Sequence, residues 1–312
     1  MAGVAYQFVT YNTTAGSRED VLDLITQIDP EETPFLSRLG VDTCYNRYTE
    51  WLQDTLESGT GTGGAVVEGA SAVKRALDAR SRLHNWTQIS AYVFSISGTH
   101  LATSHYGLED EYAYQLEKAM KIVKIMQEQI LLNSTSGTGG MGSVCATGAR
   151  SMTGLINCLT TNVTTGSAGS CALTETLFNA HLQKIFEGGN GRPDIAFVGG
   201  FNKRRISSFA TSNVRQLDMT SSTKLRNTIS VYESDFGTLE IVLDRWIGAG
   251  GNDKGVIPTL QMDRFKVLYL RKPFVQQLGI TGDSKDAQLL TEYTFQYLNE
   301  GTSGKLSALA TA

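Results

Sequence analysis

Proline is scarce in this chain, 5 among 312 residues, against 32 glycines. That ratio argues against rigid linkers and favours long strands joined by flexible glycine loops. Cysteine is scarce too. Cys44, Cys145, Cys158 and Cys171 form no C-x-x-C pair and have no histidine at metal-ligand spacing, so free thiols in a reducing compartment are expected and no metal is. No apolar run approaches the roughly 20 residues that a membrane-spanning helix needs. The opening MAGVAYQFVTYNTTAG has no basic stretch ahead of an apolar one, and a soluble, unsecreted chain without a membrane partner is expected. A basic excess is also missing: Lys plus Arg number 27 against 31 Asp plus Glu, a formal net charge of -4. A dedicated nucleic-acid binder needs a basic face to neutralise phosphate, and this balance argues against one.

Catalytic signatures are absent as well. There is no H-E-x-x-H, G-x-S-x-G or G-x-x-x-x-G-K-[ST]. Gly59, Gly61, Gly64 and Gly137, Gly139, Gly142 match G-x-G-x-x-G, but neither run lies between a strand and a helix start, where backbone amides converge on a pyrophosphate. Asp235-Phe-Gly237 lacks any accompanying H-R-D and reads as a hairpin turn. His84, His100, His105 and His181 are scattered, with no partner in reach for base catalysis. No catalytic residue and no cofactor is expected.

The dominant positive feature is Ser104 to Ser134, free of proline and glycine after its first turn. Tyr112, Leu116, Ala119, Val123, Met126 and Ile130 recur in steps of four and three, which places them on one helix face. Ile122, Ile125 and Leu132 form a second strip, so partners on more than one flank are expected. Glu109 to Glu111 open the helix and Lys118, Lys121 and Lys124 follow, as the helix dipole favours. At about 1.5 Å per residue this spine would reach roughly 40 Å.

Ahead of it, Ser17-Arg-Glu-Asp20 is a capping box for a short helix with Val21, Leu24, Ile25 and Ile28 on one side, ended by Asp29-Pro30. Thr33 to Leu36 reads as extended, and the whole as an arm that must lie on something else. Thr43 to Leu56 and Trp86 to Ser97 are strand-like, the latter with Tyr92, Phe94 and Ile96 on one face and Ile89, Ala91 and Val93 on the other. The glycine-rich stretch between them reads as a long excursion that touches something outside its own domain. Downstream, Thr174 to Glu187 is an amphipathic helix with Leu177, Phe178, Leu182, Ile185 and Phe186 inward. Ile195 to Val198 is a buried central strand and Phe201 to Phe209 a helix. Ile229 to Glu233 and Leu239 to Leu243 make a hairpin, giving a small α+β unit. Phe265 to Arg271 is a strand that ends before Lys272-Pro273. Ala287 to Asn299 is a half-buried strand with Leu289, Thr291, Tyr293, Phe295 and Tyr297 inward, and the tail GTSGKLSALATA is expected to fray.

Several segments together resemble the major head proteins of tailed bacteriophages, of a branch known as a domain of unknown function. They are SREDVLDLITQIDPEETPFLSRLG, TEWLQDTLE, VVEGASA, NWTQIS with SISGTH, YQLEKAMKIVKIMQEQILLN, GLINCLTTN, RPDIAFVGGFNKRRISSF, SVYESDFGTLEIVLDRW and GDSKDAQLLTEYTFQYLNE. They run in order from about Ser17 to Glu300.

The resemblance implies an α+β fold of the Hong Kong 97 capsid type. Residues 1–42 would be the N-terminal arm, 43–97 the E-loop hairpin, 98–150 the P-domain with its spine helix and 151–255 the A-domain. Residues 256–312 would return strands mainly to the P-domain and end in the tail. The archetype of that fold carries a scaffolding segment ahead of its arm and crosslinks subunits through lysine and asparagine. Nothing long precedes Ser17 here and no such pair is assignable, so scaffolding is expected to be absent or separate. Candidate assembly contacts are Phe35 on the arm, Trp51, Lys74, Arg75, Arg80 and Arg82 on the E-loop, and the basic triplet Lys203, Arg204 and Arg205, which could meet an acidic neighbour or DNA although a solvated face is the better reading.

The implied function is a major capsid protein that assembles into an icosahedral head in the host cytoplasm and resides in the virion. Its partners would be copies of itself as hexamers and pentamers, a portal, separate scaffold or decoration proteins, and packaged double-stranded DNA held non-specifically. Two other classes compete: an encapsulin-like cargo compartment of the same fold, and an enzyme using a glycine loop.

Overall fold

The computed structural model describes residues 32–54, 67–71, 79–103, 110–135, 149–166, 171–189, 191–209, 230–248, 255–279 and 282–311. In chain order the elements are β1 (Gly40–Thr43), β2 (Tyr48–Gln53), β3 (Ser81–Trp86), β4 (Gln88–Ser97), α1 (Gly98–Ala102) and α2 (Glu111–Asn133). There follow α3 (Leu155–Cys158), β5 (Val163–Thr165), α4 (Glu175–Gly189), β6 (Ile195–Val198), α5 (Gly200–Phe209), β7 (Val231–Ser234) and β8 (Gly237–Leu243). The chain closes with β9 (Ile257–Leu260), β10 (Phe265–Gln277), β11 (Ser284–Tyr297) and β12 (Gly304–Ser307). They build a four-stranded sheet β1-β10-β11-β4, a six-stranded sheet β5-β12-β9-β6-β8-β7 and a two-stranded ribbon β2-β3.

The spine is α2, capped by Asp110, whose side chain accepts the Tyr112 amide at 2.9 Å. Its 23 residues span about 35 Å; the expected first turn at residues 104–109 lies outside the described residues. Of the expected stripe, Ala119 and Val123 are buried, and Tyr112 and Leu116 pack with Phe94, Ile96 and Ala287 on one face of the four-stranded sheet. Leu132 from the second strip is buried too, as are Gln127 and Glu128, which a purely apolar reading passes over. The helix end is closed by the 152–157 segment. Ser134 Oγ donates to the Met152 carbonyl at 2.7 Å, and the Gly154 amide and Asn157 Nδ2 both donate to the Ser134 carbonyl at 2.9 Å. Gly154 must be glycine there, because a Cβ would stand 2.8 Å from the Ser134 nitrogen.

Several expectations are corrected. Thr33 to Leu36 is not extended: Ser37 and Leu39 donate to the Thr33 and Phe35 carbonyls at 3.2 Å, a turn that carries Phe35 inward. Of the two strand-like stretches expected to form one hairpin, β2 pairs with β3, Tyr48 opposite Trp86, whereas β4 leaves them to pair with β11. Strand β10 runs through Pro273 to Gln277. It does so across register shifts between Tyr269 and Phe274, which is where a residue without an N–H is tolerated.

The C-terminal half of β11 is buried on both faces, Glu292 and Thr294 included, because β3 and the residues after it cover it. Asn85 Nδ2 donates to the Phe295 carbonyl at 2.8 Å and Thr294 Oγ1 to the Trp86 carbonyl at 2.8 Å. The tail does not fray: β12 is inserted between β5 and β9, with Leu306 and Leu309 in the core. With β9, it completes the six-stranded sheet, so residues 256–312 serve both sheets. The central strand β6, the helices α4 and α5 and the hairpin β7-β8, with Gly237 at φ 137°, fall where the pattern placed them. Phe186, expected inward, is 42% exposed.

Val123 is 2% exposed and Lys124 faces out. Val123→Asp is expected to cost about 3 kcal/mol or more, and Lys124→Asp under about 0.5. Denaturant unfolding of the two variants would measure the difference, and equal midpoints would show the buried face to be wrong.

Candidate assembly surfaces

One core joins the two sheets, and Phe35 is its wedge. Its ring meets Phe197 of β6 edge-on at 5.3 Å and Phe295 of β11 at 6.1 Å, and it is 0% exposed. Its turn is held by a carboxylate. Glu128 of α2 accepts the Phe35 amide at 2.8 Å and the Leu36 amide at 2.6 Å. On the other side of the turn, Trp246 Nε1 donates to the Glu32 carbonyl at 2.7 Å. Asn133 ties the spine's end to the same region, donating to the Trp246 carbonyl and accepting the Gly248 amide, each at 2.8 Å. Burial pushes the Glu128 carboxyl up to about 7, opposed by the two arm amides and assisted by Asp244. Asp244 follows β8, and burial lifts it to about 6.

Phe35 is therefore spent inside its own chain and has no surface left for a neighbour. The same correction holds for Trp51. It is 8% exposed, stacks edge-on against Tyr297 at 5.2 Å and donates Nε1–H to the Tyr297 carbonyl at 2.8 Å, fastening the ribbon to β11. Arg80 and Arg82 are exposed but have partners at home, Asp54 at 3.2 Å and Glu50 at 3.7 Å. Pairs this exposed contribute about 0–1 kcal/mol, so either arginine can exchange its partner at little cost. Lys74 and Arg75 lie outside the described residues, as do both glycine triplets. In the basic triplet, Lys203 donates to the Ile241 carbonyl at 2.9 Å, and burial lowers its pKa against the opposing pull of Glu240. Arg204 and Arg205 are exposed, the latter 5.3 Å above the Phe201 ring.

Sequence reasoning singled out the arginines as contacts and did not count the exposed apolar faces among them. On the outer side of the ribbon Tyr48 packs against Trp86 at 4.6 Å and His84 at 5.1 Å, beside Leu52 at 62% exposure, while Tyr45 just ahead is 93% exposed. On the side of the four-stranded sheet away from α2, Ala91, Leu290 and Phe274 share a cross-strand row, with exposed Ile89 and Val93 flanking it. The alternation of β4 predicted this second face; only the pairing with β11 showed that nothing among the described residues covers it.

Two buried polar sites are structural. Glu292 is gripped by Arg150 at 2.7 Å, Arg271 at 2.9 Å and Thr87 Oγ1 at 2.9 Å. His181 lies between Thr164 and Thr259 hydroxyls at 3.0 and 2.8 Å; burial, with a smaller push from Lys184, holds it down near 4, so it is neutral. Among the described residues no group of three or more His, Cys, Asp or Glu could hold a metal, and Cys44, Cys158 and Cys171 are free thiols.

A long spine helix on a sheet, an extended two-stranded ribbon and a second α+β unit are the Hong Kong 97 type of shell-protein fold. The cyanophage A-1(L) capsid chain superposes at a TM-score of 0.68 with 12% identity, covering 97% of this chain and 99% of its own. The holo-SrpI encapsulin complex of Synechococcus elongatus contributes a chain at a TM-score of 0.57 with 11% identity and 92% of each chain covered. In sequence, residues 5–310 match the SU10 major capsid protein family, and the chain belongs to that family. The major capsid protein of Escherichia phage Phieco32 is 34% identical over 131 residues, which are 42% of this chain and 37% of that relative.

Phe35→Ala is expected to cost about 3–5 kcal/mol of protomer stability, through the lost ring and the cavity it leaves between the sheets. Leu52→Ser, on the outer face of the ribbon, is expected to change it by less than about 0.5 kcal/mol. Chemical unfolding of both variants distinguishes the core residue from the surface one.

Proposed function

We propose that many copies of this chain, grouped as hexamers and pentamers, build the icosahedral head of a tailed phage around packaged double-stranded DNA. The observation that carries this reading is the family match over residues 5–310, which takes in the ribbon, the spine and both sheets. The surface supports it. Leu52 on the ribbon and Val41, Ile89 and Val93 on the four-stranded sheet are 62, 63, 47 and 54% exposed, and Tyr45 between β1 and β2 is 93% exposed. Covering such faces with other copies removes apolar area from water at about 25 cal/mol per Å².

In this reading the arm runs to about Leu39 and the E-loop is the β2-β3 ribbon with the residues between its strands. The P-domain is the four-stranded sheet with α1 and α2, and the A-domain is the six-stranded sheet with α4 and α5. The protein acts by assembly and not by catalysis. The shell forms in the host cytoplasm, with a portal at one vertex and any scaffold or decoration protein supplied separately. DNA contact is weak and sequence-independent, in keeping with a net charge of -4. The runner-up is a cargo compartment, which the likeness to an encapsulin chain keeps in view. Genes for a terminase and a portal beside this one would favour the head.

Electron microscopy of the expressed chain, with scaffold supplied, is expected to show capsomers, shells or tubes. Light scattering from a species of only about 34 kDa at high concentration would overturn the reading. Deleting Gly59 to Gly64 is expected to leave protomer unfolding unchanged while impairing assembly. For the arginines, Arg82→Glu alone is expected to lower particle yield, more at low salt than at high. Combining it with Glu50→Arg restores the cross-strand pair. Recovery of yield would show that Arg82 serves its own ribbon, and persistent loss that it meets a neighbour.

A further inference from the structure

Glu128 and Asp244 are carboxylates with no solvent around them, 0% and 1% exposed. Three of their four oxygens have donors. Glu128 takes the Phe35 and Leu36 amides, and Asp244 Oδ1 takes the Trp246 amide at 2.8 Å. The fourth, Asp244 Oδ2, is buried and receives a hydrogen bond from no donor among the described residues. Yet the Glu128 carboxyl is within hydrogen-bond reach of Asp244. Two acceptors in contact in a dry site are reconciled by a proton between them, because both cannot be ionised there at tolerable cost.

We propose that Glu128 and Asp244 share one proton, and that this proton closes a pH-sensitive clamp holding the base of the N-terminal arm to the spine and to the end of β8.

Three elements meet at the pair: the 33–39 turn, α2 and the 244–248 turn. Their other charged groups point elsewhere. From the arm, Arg38 pairs with Glu240 of β8 at 2.5 Å, and Glu32 pairs with Arg245 at 3.5 Å. Lys124 of α2 is exposed, and Lys203 of α5 donates to the Ile241 carbonyl. Burial is the larger cause of the upward shift in both carboxyls, and among the described residues the charge that adds to it at Glu128 is Asp244. The two groups titrate as one unit.

Both folded values, about 7 for Glu128 and about 6 for Asp244, lie above the ordinary 4.5 and 3.8. A carboxyl shifted up in this way stabilises the fold fully below its unfolded value and loses that contribution as pH rises through its folded value. The clamp is therefore closed in mild acid and loosens as pH climbs past about 7, when the second ionisation sets two buried charges against each other. The inference stands on the geometry of a single chain and does not depend on the shell-forming reading.

Hydrogen exchange of residues 32–39 in the full chain, corrected for the intrinsic pH dependence, tests it. Protection is expected to fall at least about tenfold between pH 5.5 and 8.5, the equivalent of one pKa unit, while residues 195–198 stay unchanged. Asp244→Asn gives Glu128 a permanent amide donor and keeps the acceptor for Trp246; it is expected to flatten that profile. Infrared spectra of the wild type at pH 6 are expected to contain a buried protonated-carboxyl band that Asp244→Asn removes. Equal protection at both pH values, an unchanged slope in the variant, or no such band overturns the proposal. If the variant does not fold, the wild-type exchange profile and infrared band decide between the same outcomes.

Discussion

The contact on which the architecture depends is the Phe35 ring wedged between Phe197 and Phe295. Each of these phenylalanines belongs to a different sheet, so the ring turns two layered units into one core that also includes Leu131, Leu132, Met152 and Phe265. An aromatic side chain buried to this extent contributes several kcal/mol through area and packing. It must, however, arrive on a chain whose backbone amides are also buried. Glu128 solves that problem by accepting two of them, and so the ring is accompanied into the core by a carboxylate that is itself costly to bury.

Strand β11 is the second shared member. It pairs with β10 on one side and β4 on the other, lays Ala287 toward the spine and carries Tyr293 and Phe295 into the joint core. Trp51 and Asn85 then hang the ribbon on its last residues through the Tyr297 and Phe295 carbonyls. The ribbon is thus rigidly based but presents Leu52, Tyr48 and Trp86 away from the body of the molecule. That division, a fixed root and an apolar outward face, suits an element whose partner is another chain more than it suits a catalytic lid. The open face of the four-stranded sheet repeats the pattern on a flatter surface.

Most polar groups in the interior are paired across the chain. Glu292 has two guanidinium partners, His181 two hydroxyls, and Asn162 the Gly301 and Ser303 carbonyls at 2.6 and 3.1 Å. Each joins segments more than a dozen residues apart, and each is satisfied on all sides that matter. The Glu128–Asp244 pair departs from this pattern by one oxygen, as Asn202 Oδ1 and Asp286 Oδ1 also do, but only there, among the described residues, does the orphaned oxygen sit against a second buried carboxyl.

By itself the sequence determined what periodicity and local chemistry can determine. The spine, the helix α4, the buried strand β6, the hairpin turn at Gly237 and the two faces of β4 were legible because each depends on residues within a turn or two of one another. The family was legible because its segments recur in order from Ser17 to Glu300. What only the tertiary structure decided depends on residues far apart in the chain. That Phe35 and Trp51 face inward follows from Phe295 and Tyr297, some 250 residues away. The ordered tail needs β5 and β9 on either side of it, and the burial of Glu128 needs an arm turn 92 residues upstream to bring it donors. A strand's partner and a carboxylate's proton are properties of long-range contact, which no local window of sequence contains.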